Sequence, residues 1–302
     1  MTGNPVADEL LDQIETYHRK TAELSRRLKE HPDLLPRINL GLQVLIDIQL
    51  ARPRLKGDDL FKAYRKVRGL IFIGPREWEK ACLGPKKENP LELEPSWCHK
   101  LKLPPPLPIE VMRKVASYCR TPEWATTPVL WLALPRIVSP KFGKIPTTLL
   151  GQNKLWGVAH DNLPGGLVRQ DVFWSNWFMA ADYTAKYELA HEPATKDNGW
   201  AVGYEFPDLT VRKNWPDQKV AISQRKGLES VSAPRDALML NLVLAATSRR
   251  LRAFGYSRTS TVFGGDPLDV GSYAVGVNVF QDWHPEIASD RIAASVQGVL
   301  EL

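Results

Sequence analysis

The chain has 302 residues, of which 43% are hydrophobic and 25% charged, too apolar for global disorder and long enough to bury one large core or two smaller ones. Its three cysteines, Cys82, Cys98 and Cys119, are too few and too irregular for a disulfide framework, and without a C-x2-C pair no metal site is expected. The net charge of +6 is mildly basic; no run approaches the roughly eighteen apolar residues of a membrane span, so no membrane partner is expected, and the acidic opening MTGNPVADELLDQIE is unlike a secretory signal, so the expected location is cytoplasmic.

The first predicted element is a helix over residues 7–30. Leu10, Ile14, Tyr17, Thr21, Leu24 and Leu28 recur at spacings of 4, 3, 4, 3 and 4, an apolar stripe on a charged helix. A second helix, residues 37–50, is apolar on most sides and reads as buried. A third follows Gly57-Asp58-Asp59 and stops at Gly69. A fourth starts at Pro75 and ends at Gly84. Short connections make these a helical bundle spanning residues 1–84.

Residues 85–107 carry Pro85, Pro90, Pro95, Pro104, Pro105 and Pro106 and predict an extended linker. A mixed domain is then expected over residues 108–302. It opens with a helix that turns Ile109, Met112, Val115 and Cys119 to one side. The run Pro128-Val-Leu-Trp-Leu-Ala-Leu-Pro135 predicts a fully buried strand. Further strands are expected at residues 155–159, 200–206, 209–212 and 219–223; residues 171–190 fit either a strand or a helix. An all-round apolar helix is predicted over residues 233–253, with Ser232 as its N-cap. Strands at 258–263 and within 269–280, joined by a turn at Gly264-Gly265, and a closing helix from Asp290 complete the α+β chain. The ten tryptophans read as core filling, with a base-stacking platform as the alternative.

The closing order is an apolar helix, the strand Arg258-Thr259-Ser260, a glycine turn, paired strands, and a short segment with Ala293-Ala294 and Gly298. It resembles the C-terminal regions of an uncharacterised group of bacterial hypothetical proteins. The resemblance covers at most about a third of the chain and implies no activity.

Nucleotide-binding glycine loops, the nucleophile elbow and the zincin motif are all absent. His160-Asp161 with Asp171 is a polar cluster lacking a nucleophile. Pro207-Asp208 followed by Asp217-Gln218-Lys219 looks like the pattern of restriction-type nucleases, in which two carboxylates hold Mg²⁺ and the lysine activates water. Asp208 and Asp217 would be the ligands and Lys219 the catalyst. The spacing is short for that family, and Pro216 precedes Asp217 where the family has an apolar strand.

Charge is segregated. Residues 212–258 hold ten Lys or Arg against three acids; residues 159–209 hold three against eight, and residues 266–302 one against six. Either the basic stretch presents a footprint for a polyanion, or the segments pair internally. A second basic stretch holds Arg52, Arg54, Lys62, Arg65, Lys66 and Arg68. Together with Arg19–Lys29 it could read a phosphate backbone. The favoured expectation is therefore a non-enzymatic binding protein with a nucleic-acid partner and no cofactor. The alternatives are the Mg²⁺-dependent nuclease and a protein–protein assembly component acting through the amphipathic N-terminal helix.

Overall fold

Strand β2 (Pro128–Ala133) is buried along its whole length, because a continuous apolar run needs cover on both faces of a sheet. The structure, a computed structural model, describes residues 58–84, 87–122, 124–157, 167, 173–178, 191–252, 255–273, 276–280 and 284–299. The chain divides into units at residues 1–54 and 55–302. The expected helices over 7–30 and 37–50, with the apolar stripe proposed for assembly, lie outside the described residues, as does the His160-Asp161-Asp171 cluster.

Around β2 runs a sheet of order β1-β2-β6-β12-β7, with β1 (Ile71–Ile73), β6 (Gly199–Tyr204), β12 (Val296–Gln297) and β7 (Glu229–Ser230). β1 runs parallel to β2, and β6 antiparallel to it in the register Pro128↔Tyr204 to Ala133↔Gly199. A second sheet has the order β11-β8-β9-β10-β5, from β11 (Ile292–Ala294), β8 (Tyr256–Phe263), β9 (Asp266–Tyr273), β10 (Gly276–Phe280) and β5 (Phe173–Phe178). A hairpin, β3 (Arg136–Ser139) with β4 (Gly143–Pro146), stands apart. The helices are α1 (Asp58–Arg65), α2 (Pro75–Leu83), α3 (Ile109–Tyr118), α4 (Leu149–Trp156), α5 (Trp215–Ser223) and α6 (Ala233–Thr247).

Alternation along the strands sorts the core into two layers. Ile71, Ile73, Trp131, Ala133 and Ala201 face α2, α4 and α6, beyond which lie Val270 and Val277 of the second sheet. Phe72, Leu130, Val202 and Tyr204 face α1 and α3 on the other side. Twelve of the fifteen residues of α6 are buried, which is why its sequence has no polar stripe. Gly203 of β6 lies so close to the Met239 sulfur that a Cβ there would collide with it.

The α+β class holds, but the division at residues 85–107 does not. β1 pairs with β2, and Trp78 of α2 belongs to the same core as Trp131. The proline segment is a strap fixed to that core: the Tyr64 hydroxyl donates to the Leu107 carbonyl, and the Trp200 indole N–H donates to the Pro104 carbonyl at 3.0 Å. Residues 155–156 end helix α4, capped by Thr148. Residues 208–210 form a 3-10 turn, and residues 219–223 close α5, capped by Asn214. The closing helix is replaced by β11 and β12, because Ile292–Ala294 extend the sheet beside β8. The short apolar runs at 155–156 and 219–223 carry no period long enough to separate strand from helix; both end helices with a side-chain N-cap.

Trp78, Trp124, Trp131 and Trp156 are fully buried, in keeping with core filling. β1 ends opposite Trp131, leaving the outward carbonyl of Leu132 without a strand partner. The Trp78 indole N–H replaces it at 2.7 Å, and the Trp156 indole donates to the Ala81 carbonyl at 3.0 Å. Trp78→Phe keeps a ring but strands that carbonyl, so it should cost about 1–3 kcal/mol; Trp78→Ala should cost about 3–5 kcal/mol. Urea midpoints at unchanged slope check both values. A chain beginning at residue 108 lacks β1 and α2 and should show no cooperative transition.

Candidate nucleic-acid interface

Two of the ten cations at residues 212–258, Arg252 and Arg258, are buried. Arg252 is 0% exposed and Asp236 1%. The two make a bidentate pair in which Arg252 Nη2 reaches Asp236 Oδ1 at 2.9 Å and Nη1 binds Oδ2. Arg258 is also fully buried. It donates to the Ile287 carbonyl at 2.7 Å and the His284 carbonyl at 3.0 Å, and it stands opposite Asp269 in the β8–β9 register. Burial lowers its pKa, and Asp269 opposes that shift. Arg249 pairs with Glu205 at 3.1 Å. Glu205 and Asp269 come from the two acidic segments, so part of the charge segregation is spent on internal pairing.

The stretch at residues 52–68 behaves differently. Arg52 and Arg54 lie outside the described residues. Lys62 pairs with Asp59 at 3.1 Å in full solvent, a contact of little energy. Arg65 grips Glu77 with two bonds of 2.8 and 3.1 Å, and its guanidinium lies 5.5 Å from the Phe72 ring centroid, so its charge is largely answered. Lys66 and Arg68 are exposed and make no ion pair among the described residues.

α1 and α3 lie side by side, and this adjacency adds a cation that the sequence reading missed. Arg120, just past α3, donates from Nη1 to the Arg68 carbonyl at 2.6 Å. That bond is to a neutral carbonyl, and Arg120 makes no ion pair among the described residues. The bond brings the Arg120 guanidinium beside the backbone of residues 66–68 at the end of α1. Arg113 on α3 is held by Glu110. The helix after Pro108 had been read for its apolar face; the signal overlooked was the opposite face, where Arg113, Lys114 and Arg120 outnumber Glu110.

The strands expected to carry the nuclease pattern are a 3-10 turn and a helix. Asp208 opens the 3-10 turn, and Asp217 and Lys219 are exposed in α5. Side chains two apart share a face on a strand but diverge on a helix. The Lys219 ammonium sits over Trp215, 5.6 Å from the ring centroid. Among the described residues no group of three or more His, Cys, Asp and Glu side chains is placed to hold a metal. Among the same residues no helix is long and apolar enough to cross a membrane. The cysteines are buried and free. Burial pushes each thiol up, Cys119 to about 12, which makes them poor nucleophiles. No protein-family model, curated protein or solved structure matches the chain.

Two outcomes follow. Asp236→Asn leaves the Arg252 charge buried and unanswered, so it should cost about 3–5 kcal/mol, with little dependence on salt because solvent ions do not reach the pair. Denaturant unfolding at low and high salt measures this. Ellman's reagent should find essentially no reactive thiol in the native protein near pH 8 and all three after denaturation.

Proposed function

We propose that the chain is a non-enzymatic binding protein whose partner is a nucleic acid, held by phosphate contacts at the end of the α1–α3 layer. The observation that carries this reading is the meeting of Lys66, Arg68 and Arg120, brought together by the Arg120–Arg68 bond. Three exposed cations with no carboxylate paired to them among the described residues keep their charge for an outside partner. Such contacts position a polyanion and do not read its bases.

The burial of Arg252 and Arg258 takes two cations of the longer basic stretch out of reach of a partner. Lys62 can contribute when a phosphate competes with Asp59, because a solvated pair separates at little cost. Arg65 is less available, since moving it would abandon both bonds to Glu77.

The test is fluorescence anisotropy of a labelled duplex DNA across a salt series. Affinity should fall with salt at a log–log slope near −0.9 for each phosphate contact. Replacing Lys66, Arg68 and Arg120 together by Ala should flatten that slope by about 2–3 and weaken unrelated sequences equally. Binding that ignores the triple replacement would place any nucleic-acid site elsewhere; absence of binding at low salt would end the reading.

A further inference from the structure

β6 is paired with β2 along its full length, and among the described residues its other edge is paired only near its end. The Glu205 N–H donates to the Thr127 carbonyl at 3.0 Å, continuing the β2–β6 register. Antiparallel alternation then turns the backbone groups of residues 199, 201 and 203 toward β2, and those of Trp200, Val202 and Tyr204 toward the opposite edge. On that edge β12 meets β6 at Gly203↔Gln297, and the Gly298 N–H donates to the Val202 carbonyl at 2.9 Å. There the ladder stops. Gly298 takes a φ of +114°, and its Cα lies against the Gly227 carbonyl with no room for a Cβ, so the chain turns out of the sheet. The outward N–H and C=O of Trp200 have no ladder partner among the described residues.

A groove of about 540 Å³ follows this open edge. One wall is the proline strap, residues 104–108, on the side of the sheet to which the Trp200 ring is fixed. Prolines have no N–H, so residues 104–106 cannot complete the ladder themselves. The other wall carries Arg235, from the first turn of α6. Its Nε is buried without a hydrogen-bond partner among the described residues, and its guanidinium lies 5.9 Å from the Trp131 ring centroid. Glu229 borders the same groove and its charge acts on Arg235 without forming an ion pair; its carboxylate accepts from the Gln297 amide.

We propose that this groove takes an extended peptide segment of a protein partner by strand addition at Trp200, with acidic side chains toward Arg235 and apolar ones toward Trp200 and the proline wall. Strand addition draws affinity from main-chain bonds and specificity from alternate side chains. Here the main-chain groups are those of Trp200. The two chemically different walls require an alternation of apolar and acidic residues, because successive side chains of an added strand face opposite sides. This site is independent of the cationic end of the α1–α3 layer.

The probe is a fluorescein-labelled, end-blocked peptide Thr-Val-Glu-Val-Glu-Val-Thr, titrated into the full chain by anisotropy. It should bind saturably. Methylating the backbone nitrogens of its central residues, or exchanging both Glu for Lys, should weaken it by about tenfold or more, since each change removes a main-chain or charge-assisted bond. Arg235→Gln should weaken the parent peptide to a similar degree, while replacing Lys66, Arg68 and Arg120 by Ala should leave it unchanged. If Arg235→Gln fails to fold, the methylated and Lys peptides decide the matter without it. Equal binding by the methylated peptide would show that no ladder forms, equal binding by the Lys peptide would remove the role of Arg235, and failure of the parent peptide to bind would overturn the proposal outright.

Discussion

A buried guanidinium holds the two sheets together. Arg252 sits just past α6 in the left-handed conformation, at φ +55°. From there it bonds Asp236 at the start of α6, the Tyr204 and Glu205 carbonyls at the end of β6, and Ser295. Ser295 is the residue between β11 and β12, where the chain leaves one sheet for the other, and its hydroxyl returns a bond of 2.6 Å to Asp236. One planar cation thus fixes both ends of the central helix and the crossing point of the sheets. Its donors and the two carboxylate oxygens are all engaged, which is the condition under which a buried ion pair is tolerated.

That arrangement decides what the surface has left to offer. A chain of net charge +6 could have spread its cations evenly. Instead Arg252 and Arg258 serve as internal ties, the second anchoring the 284–287 segment through the His284 and Ile287 carbonyls. Arg249 is held by Glu205. Among the described residues Lys66, Arg68 and Arg120 of the α1–α3 layer make no ion pair, and Arg120 is tied to the Arg68 carbonyl. Proximity matters more than number for a polyanion, because attraction between exposed charges fades over about a Debye length.

Much of this was legible in the sequence where one local signal dominated. The buried strand β2 follows from an unbroken apolar run between prolines, and α6 from an all-round apolar stretch with a proline in its first turn. The paired strands after it follow from Gly264-Gly265. What could not be read was whatever depends on a distant partner. β1 has only three residues, and its assignment rests on β2, more than fifty positions later. The proline segment looked like a linker because proline excludes regular structure; nothing local says that Tyr64 and Trp200 hold its carbonyls. The closing segment contains helix-forming alanines, and only the neighbouring β8 makes Ile292–Ala294 a strand. The same limit applied to the surface. Lys66 and Arg68 were found as part of a basic run, whereas Arg120 joins them only through the packing of α1 against α3, and Arg235 looked like one of ten cations until the groove beside it was known.

The strap and the open edge of β6 also bear on each other. An uncovered strand edge invites indiscriminate pairing, and proteins blunt such edges with prolines, charges and short strands. Here all three are present: Pro104–Pro106 alongside, Arg235 across the groove, and a gap bounded by Gly298. Each device discourages a flat apolar strand from docking. None excludes a segment whose side chains answer the two walls in turn, since the Trp200 backbone groups face the groove between the walls. A strap made of proline cannot close the ladder at Trp200, and it can only flank the edge.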